Sequence, residues 1–438
     1  MIHATFALLL FAAAVFAPRR SLAEEGFRPL FNGKDLAGWA RVNCHPDTFT
    51  VRDGMIISTG KPTGVLRTDR HYENFILELE YKHIVAGGNA GLFIWSDPIT
   101  SQGVPFTRSI EVQILDGHET ANYTSHGDVF SIHGARMKPM NPHPHGWERS
   151  LPSEKRARPA GEWNHYRVEC VDGVIKLAVN GKVVSGALEC NPRKGYICLE
   201  AEGSETHFRN IRIKELPSSN PPASQVARLD DGFRSLYTGL DLAGWKASPE
   251  HRKHWVPNDW VLRYDGKCPE PDPHLWSEKS YRDFEMICDW RWVNPGDKRP
   301  LPLVGADGRP VLQADGSPAI QEGLYAGDSG IYLRGNDKSQ VNIWSWPIGS
   351  GEVYGYRTDP AMSAEVVRGV TPKLNADKPI GEWNRFHITM KGDRLTVVLN
   401  GKTVIENAQL PGVPSEGPIA LQHHGDPIEF ANIYIKEL

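Results

Sequence analysis

GEWNHYRVECVDGVIKLAVNGKVV, residues 161–184, reappears as GEWNRFHITMKGDRLTVVLNGKTV at residues 381–404. Inside each stretch an Asn-Gly pair, Asn180-Gly181 or Asn400-Gly401, splits a run of β-branched and aliphatic residues. Asn-Gly tolerates the positive φ angles of a two-residue hairpin turn, so Ile175–Val184 and Leu395–Val404 read as two equivalent β-hairpins. The repetition extends outward. FRPLFNGKDLAGW (27–39) returns as FRSLYTGLDLAGW (233–245), and HFRNIRIKEL (207–216) as EFANIYIKEL (429–438). Matched openings, middles and ends identify two copies of one complete domain.

The strand signal runs through both copies. In FILELEYKH (75–83), Phe75, Leu77, Leu79 and Tyr81 alternate with polar residues, the period of a half-buried strand. No segment sustains a helical period. Many short strands between Gly, Asp and Pro turns predict an all-β protein of two tandem antiparallel β-sandwiches, residues 24–216 and 228–438. PSSNPPAS (217–224) opens the linker between them, residues 217–227. The offset between the copies widens before Gly330, which places an extra hairpin at residues 294–323. The first copy has the longer loop after Asp116, Gly117–Ala160, which carries His118, His126, His133, His143 and His145.

At 438 residues the chain has length for two cores, and 23% charged residues with a net charge of −4 leave no basic field for nucleic acid. The apolar run Ala4–Ala17 is shorter than the ~20 residues that cross a bilayer. With Ser21-Leu22-Ala23 after it, Met1–Ala23 reads as a secretory signal, giving a periplasmic or extracellular protein with no membrane span. The six cysteines occupy no equivalent positions in the two copies, so the fold does not depend on a disulfide; local bridges and buried thiols both stay open.

FNGKDLAGW (31–39), SIEVQILD (109–116), the EWN-to-NGK segments and GPIALQHHGDPIEFANIYIKEL (417–438) together resemble the bacterial 3-keto-disaccharide hydrolase family, also described as 3-keto-glucoside 1,2-lyase and 3-keto-2-hydroxy-glucal hydratase. The resemblance spans nearly all of both copies. It implies a jelly-roll sandwich similar to concanavalin A and laminin G domains, with a carbohydrate bound across the concave sheet. The implied chemistry starts from a C3 ketone that acidifies the C2 proton. A base removes that proton, the enolate expels the group on C1, and water adds to the resulting glycal, so that the sum is hydrolysis. Such a site needs a base, an acid and support for the enolate oxygen.

On a strand, Glu111 and Gln113 project to one face, where a carboxylate and an amide suit proton transfer and hydroxyl recognition; a solvated strand face is the plain reading. Asp116 is either a turn residue or a group that orients a partner or a cation. Glu200 and Glu202 add carboxylates, forming an acid–base set with Glu111 if their strands are neighbours. In the second copy Glu111 becomes Gln340, Gln113 becomes Asn342, and Glu200 and Glu202 become Gln422 and His424, which reads as a binding surface. A glutamine in this strand of some relatives keeps an active second site open. Trp95, Trp147, Trp344 and Trp346 are candidates to stack on a sugar ring; His126 and His133 are candidate substrate contacts. Trp39, Trp245, Trp163 and Trp383 read as core. His143-Pro144-His145 is either a metal clip or part of a lid, and the metal, a divalent cation if any, stays unknown.

The leading expectation is an enzyme cleaving 3-keto-glucosides, with the first copy catalytic. The competing ones are a non-catalytic lectin-like protein and an ordinary retaining glycosidase, which needs two carboxylates ~5 Å apart.

Overall fold

A computed structural model describes residues 26–438; the expected signal, Met1–Ala23, lies outside the described residues. Each copy is an antiparallel β-sandwich. In the first, a nine-stranded sheet centred on Phe75–His83, Asn164–Val171 and Thr206–Glu215 packs on a seven-stranded one. The order within the seven-stranded sheet is Arg149–Ser150, Val129–Ile132, Ser109–Leu115, Asn89–Ser96, Tyr196–Ala201, Gly64–Thr68 and Trp39–Val42. The second copy pairs an eight-stranded sheet with a five-stranded one. Asn180 and Gly181 have φ of 47° and 88°, and Asn400 and Gly401 have 52° and 78°, so both hairpins turn as their Asn-Gly pairs require. The added hairpin of the second copy pairs Asp297–Pro302 with Ile320–Tyr325.

Period-two patterning places the core. Leu77, Leu79 and Tyr81 meet Leu92, Ile94, Ile110, Val112 and Ile114 between the first copy's sheets. The alternate residues, Phe93, Glu111 and Gln113, therefore point out of the sandwich on the far face of the seven-stranded sheet. Trp39 and Trp245 are buried as expected, each donating its indole N–H to a carbonyl nine residues back, Leu30 and Leu236. Trp163 and Trp383 are not core. They lie half-buried on outer faces beneath the Arg209 and Arg291 guanidinium groups, at 3.8 and 4.6 Å. All six cysteines are free and buried.

The linker is strapped to the first copy. Ser218 and Ser219 bond the Glu73 carboxylate, and the backbones of Arg193 and Ala227 bond those of Gln225 and Lys194. The two sandwiches also share a small apolar core, in which Val65, Phe93 and Cys198 of the first meet Ile287 and Tyr434 of the second. The far face of the first copy's seven-stranded sheet thus abuts the outer face of the second copy's eight-stranded sheet. The connection between Asn89–Ser96 and Ser109–Leu115 reaches across: Gly103 donates its N–H to Asp289 at 2.8 Å, and the Asn432 amide bonds the carbonyls of Ser101 and Val104.

Candidate functional site

Glu111 and Glu200 do not stand on neighbouring strands. Asn89–Ser96 runs between them, and what brings their side chains together is Gly91 on that middle strand. A Cβ at Gly91 would lie 2.6 Å from Glu200 Oε2 and 3.0 Å from Glu111 Oε1, so the two carboxyls fill the space that any larger residue would occupy. Glu111 is 6% and Glu200 1% exposed, and Glu200 Oε2 is buried without a hydrogen-bond partner. Burial, with the nearby Glu202 charge, pushes Glu111 up to about 8, against the pull of Arg149. Glu200 lies well above the ordinary carboxylate range, through burial and the charges of Glu111 and Glu202.

Glu202 is the more accessible member. Burial raises it too, but the Asn89 amide donates to its Oε2 and favours its ionised form; the Asp259 carboxylate, from the second copy, acts the other way. Asn89 belongs to a relay. Its Oδ1 accepts from Gln113 Nε2 at 3.0 Å, Gln113 Oε1 accepts from Arg149 Nη2 at 3.0 Å, and Arg149 Nε donates to the fully buried Asp128 at 2.8 Å. The Arg149 guanidinium also covers the Phe130 ring at 3.9 Å. The site is thus three mutually repelling carboxyls beside a fixed chain of amides that ends on a cation.

Other expected site residues fall elsewhere. Asp116 is a clamp: its Oδ2 accepts the Gly87 N–H and its Oδ1 the Ala160 N–H, so its capacity goes to pinning loops. Trp95 has a φ of 56°, which turns it into the core, where it is fully buried and bonds the Glu73 carbonyl, out of reach of any sugar. His126 lies in a separate recess of about 280 Å³ with Asp116 and His118. His133 stacks on Phe106 in a cavity between the two copies. His143 bonds the Asn122 carbonyl through Nε2 and the His145 N–H through Nδ1 and stacks on Trp147, so both its ring nitrogens are engaged. Among the described residues no three His, Cys, Asp or Glu side chains are grouped to hold a metal ion.

The second copy repeats the geometry with different chemistry. Gly330 takes the place of Gly91, and a Cβ there would land on the Gln340 amide. Gln340 bonds Gln422, as Glu111 neighbours Glu200, and Gln422 Nε2 bonds the Tyr332 hydroxyl at 2.9 Å. Gln340, Asn342, Trp344, Gln422 and His424 line one cavity of about 320 Å³ together with Asp328, Trp346 and Tyr354. Trp344 itself is 2% exposed and bonds the Gly349 carbonyl; it supports the half-buried Trp346, stacked on it at 4.1 Å. Behind the cavity the buried Glu352–Arg357 pair replaces Asp128–Arg149, with the arginine supplied by a short helix, Tyr354–Arg357.

Sequence reasoning missed Asn89, Gly91, Asp128 and Arg149, and with them Asp328. Asn89 and Asp328 begin equivalent strands two residues before the aligned glycines, and that register could have revealed them.

A family model described as the 3-keto-alpha-glucoside-1,2-lyase-like domain matches residues 26–214 and again 232–436. A 3-keto-disaccharide hydrolase of Bacteroides thetaiotaomicron is 23% identical over 242 residues, spanning 44% of this chain and 79% of that protein. A crystal structure described as a glycosyl hydrolase, from Parabacteroides distasonis, is 24% identical with a TM-score of 0.35, over 44% of this chain and 95% of that one. A Bacillus licheniformis beta-glucanase is 14% identical with a TM-score of 0.29, over 43% and 97%. Matched along nearly the whole of both sandwiches, the chain belongs to the 3-keto-alpha-glucoside-1,2-lyase-like family, as two tandem domains.

Proposed function

We propose that the protein cleaves 3-keto-glucosides by 1,2-elimination followed by hydration, and that the carboxyl cluster of the first domain performs the elimination. The observation that carries this reading is the burial of Glu111 and Glu200 side by side across Gly91. Crowded buried carboxyls are costly, and a surface that only binds sugar hydroxyls has no use for them. Like charges this close cannot all ionise, so the cluster holds protons at neutral pH and still offers a carboxylate.

Glu202, bonded by the Asn89 amide, ionises first and is the base for the C2 proton. Glu111, protonated below about 8, delivers a proton to the departing C1 oxygen. Glu200 stays protonated beneath both. Gln113 and Asn89 orient sugar hydroxyls, and Arg149, bonded to Gln113, supplies positive charge near the developing enolate. An ordinary retaining glycosidase fits less well, because its nucleophile must be ionised while Glu111 and Glu200 are both held protonated. In the second domain the aromatic cavity binds sugar. The reading includes export from the cytoplasm, supported by the Ala4–Ala17 leader pattern.

Incubation with a 3-keto-disaccharide, with release of the aglycone sugar followed in time, tests the proposal. Release is expected, and Glu111→Gln or Glu202→Gln should slow it by about 10²-fold or more. No release by the wild-type protein, or an unchanged rate in both variants, overturns it.

A further inference from the structure

The second domain has lost the carboxyls equivalent to Glu111 and Glu200, but its cavity still contains a titratable pair. At the positions of Asn89 and Glu202, which are hydrogen-bonded in the first domain, stand Asp328 and His424. His424 Nε2 is 4.0 Å from Asp328 Oδ2. We propose that this domain carries its own proton-transfer site for a single keto-pyranose ring, with Asp328 and His424 as the acid–base pair and Trp346 as the platform for the ring. The choice of a keto sugar rests on the function proposed above; the site itself rests on the second domain's own residues.

Size and surroundings fit one ring. The cavity of about 320 Å³ lies at the lower end of the ~300–1,000 Å³ range of small-molecule pockets, suited to a monosaccharide. The exposed edge of Tyr354 and the Trp346 ring, backed by Trp344, supply apolar faces for sugar C–H groups. Opposite them Gln340 is fixed by the Ser329 carbonyl and Asn342 Oδ1, which gives a rigid amide wall for hydroxyls.

The pair is placed to exchange protons. The side chain of Asp328 is 19% and that of His424 50% exposed, so water reaches the pair through the histidine. Burial and the Asp426 charge raise Asp328 to about 6, against the pull of His424, so the carboxyl can hold or release a proton near neutrality beside the imidazole. In the step inferred, one member takes the proton from the ring carbon beside the ketone, the C–H electrons form a C=C bond, and the ketone oxygen accepts a proton from the other member. The reverse step returns a solvent-exchanged proton to carbon, with no oxidant or co-reactant required.

The test uses the full chain carrying Glu111→Gln and Glu202→Gln, incubated with 3-keto-glucose in D₂O, with loss of the signal of the hydrogen beside the ketone read by NMR. Exchange about tenfold or more above a protein-free control is expected, and Asp328→Asn or His424→Gln in that background should remove most of it. Trp346→Ala should raise the sugar concentration for half-maximal exchange while the saturated rate holds. Thermal melts of each variant confirm folding. Exchange no faster than the control, or indifferent to both Asp328→Asn and His424→Gln, overturns the inference. Glycoside cleavage by the wild-type protein is scored separately. Cleavage without exchange through Asp328 defeats only this site, and exchange without cleavage defeats only the function proposed above.

Discussion

Glu111 and Glu200 share one void across Gly91, and the absence of a side chain at that residue lets two carboxyls from strands two apart meet. Gly91→Ala should therefore act on the site more than on the fold. Its φ lies outside the left-handed region, and the atoms a methyl would strike are the ends of Glu200, Glu111 and Phe93. Overpacking of this kind costs about 1–3 kcal/mol. Thermal denaturation should show a modest loss, while release of sugar from a 3-keto-disaccharide falls about 10²-fold, because both acids must swing away. Full activity with an unmoved melting temperature would show that the carboxyls do not act as a unit.

Stability should depend on pH in an unusual direction. A carboxyl whose folded pKa is raised binds its proton more tightly in the native state, so its contribution is fully present below the unfolded value of ~4.3 and is lost as pH rises through the folded value. For Glu111 that window closes at about 8. The melting temperature should decline from about pH 5 to about pH 8, and Glu111→Gln, which cannot ionise, should flatten the decline. A wild-type profile as flat as that of the variant would show that the cluster is not strained.

Activity should follow a bell-shaped profile. Its acid limb reports ionisation of Glu202, the proposed base, and its alkaline limb near pH 8 the loss of the Glu111 proton. Because Asp259 raises Glu202 from across the domain boundary, Asp259→Asn should move the acid limb to lower pH without moving the alkaline one. Measurement of kcat/KM against pH for both proteins checks this, and coincident profiles would remove Asp259 from the site.

The architecture was legible in the sequence because repeated Asn-Gly turns and period-two strands encode it locally. The extra hairpin at Asp297–Tyr325 followed from bookkeeping between the copies. The site was legible only in part. Glu111 and Gln113 shared a face because they sit two apart on one strand, but the meeting of Glu111 with Glu200 depends on strand order, which no local pattern carries. Trp95 misled because a single positive φ reverses the direction that alternation assigns it, whereas Asp116, which reads as either a turn residue or an orienting group, accepts two loop N–H groups that no local pattern announces. Trp163 and Trp383 misled differently: they recur in both copies, yet each serves as a platform for an arginine on an outer face.

The same pair of positions is used differently on the two outer faces, and this sets how the domains join. In the first domain Asn210 bonds Glu80 at 3.0 Å, among the ion pairs Arg209–Glu80 and Arg212–Glu78, a face suited to water. In the second, Asn432 and Asp289 take those positions, Ile287, Ala431 and Tyr434 replace the charged neighbours, and the Ser101–Val104 turn is held in place. Asp289 is fully buried and bonded twice by Arg385, which also donates to the Thr100 carbonyl. Asp289→Ala leaves that arginine unpaired and the Gly103 N–H unbonded, a loss of about 3–5 kcal/mol. The turn should then come free. Limited proteolysis should cut within residues 97–108 of the variant and spare the wild type, and denaturation should separate into two transitions as the sandwiches uncouple. Since Asp259 reaches Glu202 only while the domains stay docked, the acid limb of the activity profile should fall together with that of Asp259→Asn. A variant that resists the protease, melts in one step and keeps the wild-type profile would show that the other contacts across the boundary, among them Thr63–Asp259 and the apolar cluster around Phe93 and Tyr434, hold the domains together without Asp289.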